Sequence, residues 1–162
     1  MVSKLSDHLS LHYESLFPYR KRGFKNRYFK VLISIGGNIG DSKKRFSSLF
    51  QRIERDSQFR ILETSPILKN PPFGYTNQDF FFNAVILLET KLYPNSFLKR
   101  VLYLEKRFGR ERTFQNAPRT LDIDIIFFDN FKIKSRNLIV PHRDWQNRDS
   151  VLIPLITLGE FR

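Results

Sequence analysis

One ten-residue stretch, Arg119-Thr120-Leu121-Asp122-Ile123-Asp124-Ile125-Ile126-Phe127-Phe128, constrains the fold more than any other. Its alternating β-branched and aromatic residues predict a strand, most of it buried on both sides. Residues two apart share a strand face, so Asp122 and Asp124 point the same way, roughly 7 Å apart along the chain. Ile126 and Phe128 continue that face, and Leu121, Ile123, Ile125 and Phe127 fill the other. An unpaired buried charge is costly, so two carboxylates here require partners. The partner is a divalent cation, a structural arginine such as Arg119, or solvent at an open strand face. The strand alone leaves all three readings standing.

The chain around it has 162 residues, the size of one domain with a proper core. It contains no cysteine, which excludes disulfides, thiol catalysis and cysteine–zinc sites. No apolar run approaches the ~20 residues that span a bilayer, and the N-terminus lacks the apolar segment of a signal peptide. The expectation is a soluble, cytoplasmic protein with no membrane contact. The net charge of +12 fits simple solubility, a nucleic-acid partner or a polyanionic small molecule such as a nucleotide. Much of that charge lies early. Residues 1–30 carry seven Lys and Arg against two acidic residues and read as a basic N-terminal extension to a domain over 31–162. Leu5, Leu9, Leu11 and Leu16 predict a short amphipathic helix before Pro18. His8 and His12 stand four apart with no third ligand nearby, which argues against a metal site.

From residue 28 the pattern becomes regular. Tyr28–Ile35 predicts a strand, followed by Gly36-Gly37-Asn38-Ile39-Gly40, which matches neither the phosphate-binding loop nor the dinucleotide fingerprint. Asp41 or Ser42 caps a helix whose apolar face is Phe46, Leu49, Phe50 and Ile53. Phe59–Ser65 predicts a second strand, and residues 66–80, rich in Pro, Gly and Asn, a long loop. Phe81–Thr90 predicts a third strand, with Asn83 either capping its start or reading a ligand edge. Pro94 opens a second helix with Phe97, Val101, Leu104 and Phe108 on one face and Gly109 at its end. Glu105 reads as lying near the exposed edge of that helix. The loop that follows delivers Arg110, Arg112 and Arg119 to the aspartate strand, as salt-bridge partners or as phosphate clamps. Asp129-Asn130 predicts a turn, 131–133 and 138–140 short strands, and Val151–Leu158 a helix with Pro154 in its first turn. The order β-α-β-β-α-β predicts an α+β, ferredoxin-like sandwich: one antiparallel sheet, helices on one face, and extra C-terminal elements.

Four blocks then carry a resemblance from about Val31 to Leu158. They are Ile35-Gly36-Gly37-Asn38-Ile39-Gly40-Asp41; Asn70-Pro71-Pro72-Phe73-Gly74 with Phe82-Asn83-Ala84; Ala117-Pro118-Arg119-Thr120-Leu121-Asp122-Ile123-Asp124; and Val140-Pro141-His142 with Asn147-Arg148. With these the chain resembles the 6-hydroxymethyl-7,8-dihydropterin pyrophosphokinases of folate biosynthesis. The resemblance implies transfer of pyrophosphate from ATP to the pterin hydroxymethyl group, releasing AMP. It implies two Mg²⁺ on Asp122 and Asp124, with Arg110 and Arg119 joining the aspartates in catalysis. It places Glu105, Arg110, Arg112, Arg119, Ile125, His142 and Arg148 at ATP, and Gly36, Asn70, Pro71, Phe73, Phe81 and Asn83 at the pterin. It further implies a monomer that binds these small molecules and no nucleic acid. No RNP-like aromatic-basic strand is present to favour the nucleic-acid alternative. The chain departs from the family at Ser150, where a second aromatic usually faces Phe81 across the pterin, with Trp145 or Phe114 as substitutes. It departs also at Asn116, which replaces a tryptophan in a loop one residue shorter, and at Leu102 and Thr113, often glutamine and lysine.

Overall fold

The structure, a computed structural model, describes residues 1–21, 28–111 and 113–159. Its strands are β1 (Val2–Lys4), β2 (Ser10–His12), β3 (Tyr19–Arg20), β4 (Phe29–Gly37), β5 (Phe59–Thr64), β6 (Ile67–Asn70), β7 (Phe81–Thr90), β8 (Asp122–Phe128), β9 (Ile133–Lys134) and β10 (Ile139–Val140). Its helices are α1 (Ser42–Glu54), α2 (Pro94–Arg107) and α3 (Asp149–Ile156). The main sheet has eight strands in the order β1-β2-β6-β7-β4-β8, with β5 on β7 and β3 on β5. Every pairing in it is antiparallel. The predicted βαββαβ core is β4-α1-β5-β7-α2-β8, and the α+β fold stands as expected. β9 and β10 form a separate two-stranded ribbon.

The sheet divides two apolar cores. On one face, Phe46, Leu49, Phe50 and Ile53 of α1 and Phe97, Val101 and Leu104 of α2 pack on Val31, Ile33, Ile35, Ile86 and Leu88. On the other, Val151 and Leu155 of α3 and the following Leu158 cover Leu32, Leu62, Val85, Leu87 and Ile126. Helices therefore lie on both faces, where the strand–helix order predicts one. The cause is the apolar α3, which seals the second face of the central strands.

Four other expectations change. Residues 1–21 form strands rather than an amphipathic helix: β1 and β2 make a hairpin on the sheet edge, and Phe17 is fully buried against Phe46 and Phe50. The loop over 66–80 begins only after β6. Pro66, which reads as a breaker, merely bends one long edge along β7. At that bend Ser65 N donates to Val85 O, and Ser65 Oγ accepts from Val85 N. Pro154 lies in the interior of α3, not its first turn, because an eight-residue helix loses only one late hydrogen bond to it. Finally, the aspartate strand changes phase. The β4–β8 register slips between Leu32 and Ile33, leaving Ile126 as the bulged residue. Phe128 therefore joins Ile123 and Ile125 in the helix-side core, and Ile126 and Phe127 turn to the α3 side.

Candidate active site

The site lies on the α3 face, at one end of β4, β7 and β8. Register places Gly36 between Asn83 and Asp122, and Ser34 opposite Asp124. Directly opposed residues share a face, so Asn83, Gly36 and Asp122 form one row across three strands, with Asp124 on the same face two residues along β8. Both glycines at the end of β4 are required by close approach. A Cβ on Gly36 would stand 2.5 Å from the Asn83 side-chain oxygen, and one on Gly37 would collide with the Thr120 carbonyl.

Asp122 is held from two sides. Arg110 Nη1 donates to its Oδ1, and Arg119 Nη1 to its Oδ2 at 2.7 Å. Burial pushes the Asp122 carboxyl up, but the two guanidiniums reverse this and leave it below its ordinary value. Arg110 is itself anchored by Glu105 Oε1 at 2.8 Å, which also accepts the backbone N–H of Ile123 at 2.8 Å. Glu105 is 3% exposed, not at an exposed helix edge. A helix-face count cannot see that the next strand brings an N–H and an arginine to it. Asp124 has a weaker partner, Arg148 Nη1 at 3.3 Å. Burial and the neighbouring Asp122 carboxylate raise its pKa despite His142, Arg148 and Arg110. His142 is fixed by its backbone N–H to Ile126 O, and its Nδ1 accepts from Asp144 N at 3.2 Å. That bond leaves Nε2 to carry the proton of the neutral ring. Burial, reinforced by Arg148, lowers the His142 pKa against the pull of Asp124.

Around Asn83 the arrangement is neutral. Asn83 Nδ2 donates to Asn70 Oδ1 at 2.7 Å, and Asn70 Nδ2 to Pro71 O. The Phe81 ring carries the Arg119 guanidinium 5.2 Å from its centroid, which joins the two halves of the site. Phe73 is 87% exposed at the loop tip. Ile125 faces the helix-side core, away from the aspartates, so only its backbone borders them. Trp145 packs on Phe127, and Phe114 on Tyr75; each ring has a contact other than Phe81. Arg112 lies outside the described residues.

Sequence reasoning assigned no role to a chain of amides that ties three loops together. Buried Asn38 donates from Nδ2 to Gln78 Oε1 and Asp79 O and accepts from Arg119 N at 3.0 Å. Gln78 Nε2 continues to Asn116 O at 2.9 Å and Tyr75 O. Asn116 holds φ 58, a conformation asparagine tolerates. In the sequence Asn38 stands only as part of the glycine-rich turn and of the first resemblance block; its partners lie 40 or more positions away. A polar cleft of about 570 Å³ opens beside this chain, between Asn38, Gly40, Asn77 and Pro118, and contains neither aspartate.

The two carboxylates suit a hard cation. Among the described residues no third His, Asp or Glu joins them as a ligand cluster. Mg²⁺ needs none, because it takes one or two carboxylates and completes its shell with water and substrate phosphate. The raised Asp124 marks the position where positive charge is short. The row thus offers a neutral amide end, an aromatic ring beneath a guanidinium, and an acidic end surrounded by Arg110, Arg119, Arg148 and His142.

Comparison with known proteins shows the family. The family described as 7,8-dihydro-6-hydroxymethylpterin-pyrophosphokinase matches residues 32–160. A Campylobacter jejuni protein named 2-amino-4-hydroxy-6-hydroxymethyldihydropteridine pyrophosphokinase is 42% identical over 146 residues, 89% of this chain and 93% of its own. A Helicobacter pylori protein of the same name is 43% identical over 148 residues, covering 90% and 88%. One from Methylorubrum extorquens is 31% identical over 130 residues, covering 80% and 82%. The first two similarities are too long to begin at residue 32, and so take in part of the N-terminal segment.

Proposed function

The chain belongs to the 7,8-dihydro-6-hydroxymethylpterin-pyrophosphokinase family, and from that premise we propose how its residues divide the work. The reaction is transfer of pyrophosphate from ATP to the hydroxymethyl group of 6-hydroxymethyl-7,8-dihydropterin, in folate biosynthesis, with AMP as the other product. The observation that carries the assignment of roles is the row Asn83–Gly36–Asp122 with Asp124 beside it on the same face, an amide at one end and paired carboxylates at the other.

Asn83, oriented by Asn70, reads the donor–acceptor edge of the pterin, and Gly36 leaves room for the ring above the strand. Phe81 supplies one apolar wall. Asn70, Pro71 and Phe73 form the loop that closes over it. Asp122 and Asp124 would hold two Mg²⁺, which would supply charge neutralisation for the ATP phosphates. Arg110 and Arg119 now neutralise Asp122; with ATP present the same guanidiniums serve the phosphates, since an arginine fork suits phosphate as well as carboxylate. Arg148 completes the cationic rim, the Nε2–H of His142 adds a neutral donor, and the resemblance assigns Arg112 to ATP as well. Glu105 keeps Arg110 and the start of β8 in register, and the backbone of Ile125 borders the nucleotide.

Residues 31–162 carry this chemistry, and 1–30 are a basic N-terminal extension; the family match from residue 32 supports the division. We further infer a cytoplasmic monomer that binds these small molecules and no nucleic acid. No described helix is long and apolar enough to cross a membrane. The test is phosphorus NMR of a reaction containing ATP, Mg²⁺ and the hydroxymethyl-dihydropterin. AMP and a pterin diphosphate are expected, and ADP with a pterin monophosphate overturns the reading. Full activity in Asp122→Ala or Asp124→Ala overturns the metal assignment.

A further inference from the structure

Strand β6 holds the residue that orients Asn83, yet it is only four residues long and runs straight into Pro71-Pro72. On β7 it has three residue pairs, Leu68 with Asn83, Lys69 with Phe82 and Asn70 with Phe81. Its other edge is taken by the N-terminal hairpin, with Ser10 opposite Lys69, Leu11 opposite Leu68 and His12 opposite Ile67. Leu11 therefore lies on the substrate face with Leu68, Asn70 and Asn83. Both leucines are buried. On the other face the His12 ring meets Phe82 edge-on at 5.6 Å, between the two pterin-side residues Phe81 and Asn83. His12 Nε2 is within 3.0 Å of Ser10 Oγ, which fixes the ring. The hairpin is closed by its own ladder and by Tyr13 N to Met1 O and Leu5 N to Leu9 O.

We propose that this hairpin, residues 1–13, is a positioning element for the pterin end of the site. It holds β6 from outside and so sets the Asn70–Asn83 amide pair. A four-residue edge strand with three pairs frays readily, and fraying here frees Asn83 to rotate. The phosphate end lies beyond β7 and β4, on β8, with three strands, β6, β7 and β4, between it and the hairpin. The hairpin therefore acts on pterin affinity and spares ATP. The inference rests on the reading of Asn83 as the pterin contact.

Four variants test it: a chain lacking residues 2–9, Leu11→Ala, His12→Ala, and Leu11→Met as the conservative control. Each is assayed for KM of both substrates, kcat and melting temperature. The truncation is expected to raise pterin KM about five- to twenty-fold while ATP KM and kcat stay within about twofold. Leu11→Ala and His12→Ala move pterin KM the same way by less, and report the effect if the truncated chain does not fold. Leu11→Met restores the wild-type value. An unchanged pterin KM in the folded variants overturns the proposal, as does a parallel rise in both KM values. Asn83→Ala separates the two levels. A raised pterin KM there, with none in the hairpin variants, removes the hairpin's role alone. An unmoved KM in Asn83→Ala removes the pterin reading itself, and the proposal with it.

Discussion

Asp122 and Asp124 are two residues apart and chemically identical, yet the fold treats them oppositely. Two arginines hold Asp122 ionised, while burial and its neighbour's charge oppose ionisation of Asp124. Repulsion at Asp124 is present above its raised pKa and disappears as pH falls through it. Asp124→Asn is therefore expected to raise the melting temperature at neutral pH without Mg²⁺. The gain is small, because the side chain is 34% exposed and screened. It vanishes below about pH 4, where the unfolded carboxyl is also protonated. The same substitution lowers kcat at least about a hundredfold if the carboxylate holds catalytic metal. Thermal melts across pH, with and without Mg²⁺, check the first part, and steady-state rates the second. Asn38→Ala is expected to cost about 1–3 kcal/mol, since it strands Arg119 N–H and the Gln78 side chain. A urea titration measures it. The aspartate pair and its arginines were legible as residue types in a strand and the loop before it. Asn38 was not, because its partners come from two distant loops that only the folded sheet brings together.

At the scale of elements, most strands and helices follow from periodicity, and the exceptions are physical. β6 is hidden in the sequence because Pro66 reads as the end of a strand, whereas Ser65 supplies a side-chain acceptor at the bend and pairing resumes. The phase of β8 was hidden because alternation assumes an unbroken ladder, and the bulge at Ile126 reverses it. That bulge puts Phe128 into the helix-side core while leaving Asp122 and Asp124 on the α3 face. The end of α2 is coupled to β8 through Glu105, which bridges Arg110 and Ile123 N. Glu105→Gln retains the backbone acceptor and is expected to cost about 1 kcal/mol. Glu105→Leu leaves buried Arg110 with half its pairing and is expected to cost about 3–5 kcal/mol. Chemical denaturation midpoints of the two variants distinguish the roles. Equal losses would show that packing, not the carboxylate, matters at this position.

Across the whole molecule, the sheet works as a partition, with the aspartate pair on one face and most of the core on the other. The N-terminal segment contributes to both. Phe17 fills the α1-side core, and the hairpin extends the sheet beside β6. Phe17→Ala is expected to cost about 3–5 kcal/mol, which a thermal or urea melt records. A loss under about 1 kcal/mol would show that the segment is only laid on the surface. The basic charge of the chain is consistent with a triphosphate substrate, and three of its arginines, Arg110, Arg119 and Arg148, lie at the two aspartates with the neutral His142 beside them. We infer that this pair binds metal on behalf of those phosphates. The direct measurement is the number of Mn²⁺ ions bound per chain, by paramagnetic resonance, at saturating non-hydrolysable ATP analogue. Two ions are expected in the wild type and at most one in Asp124→Asn. Two ions retained in that variant would contradict the claim.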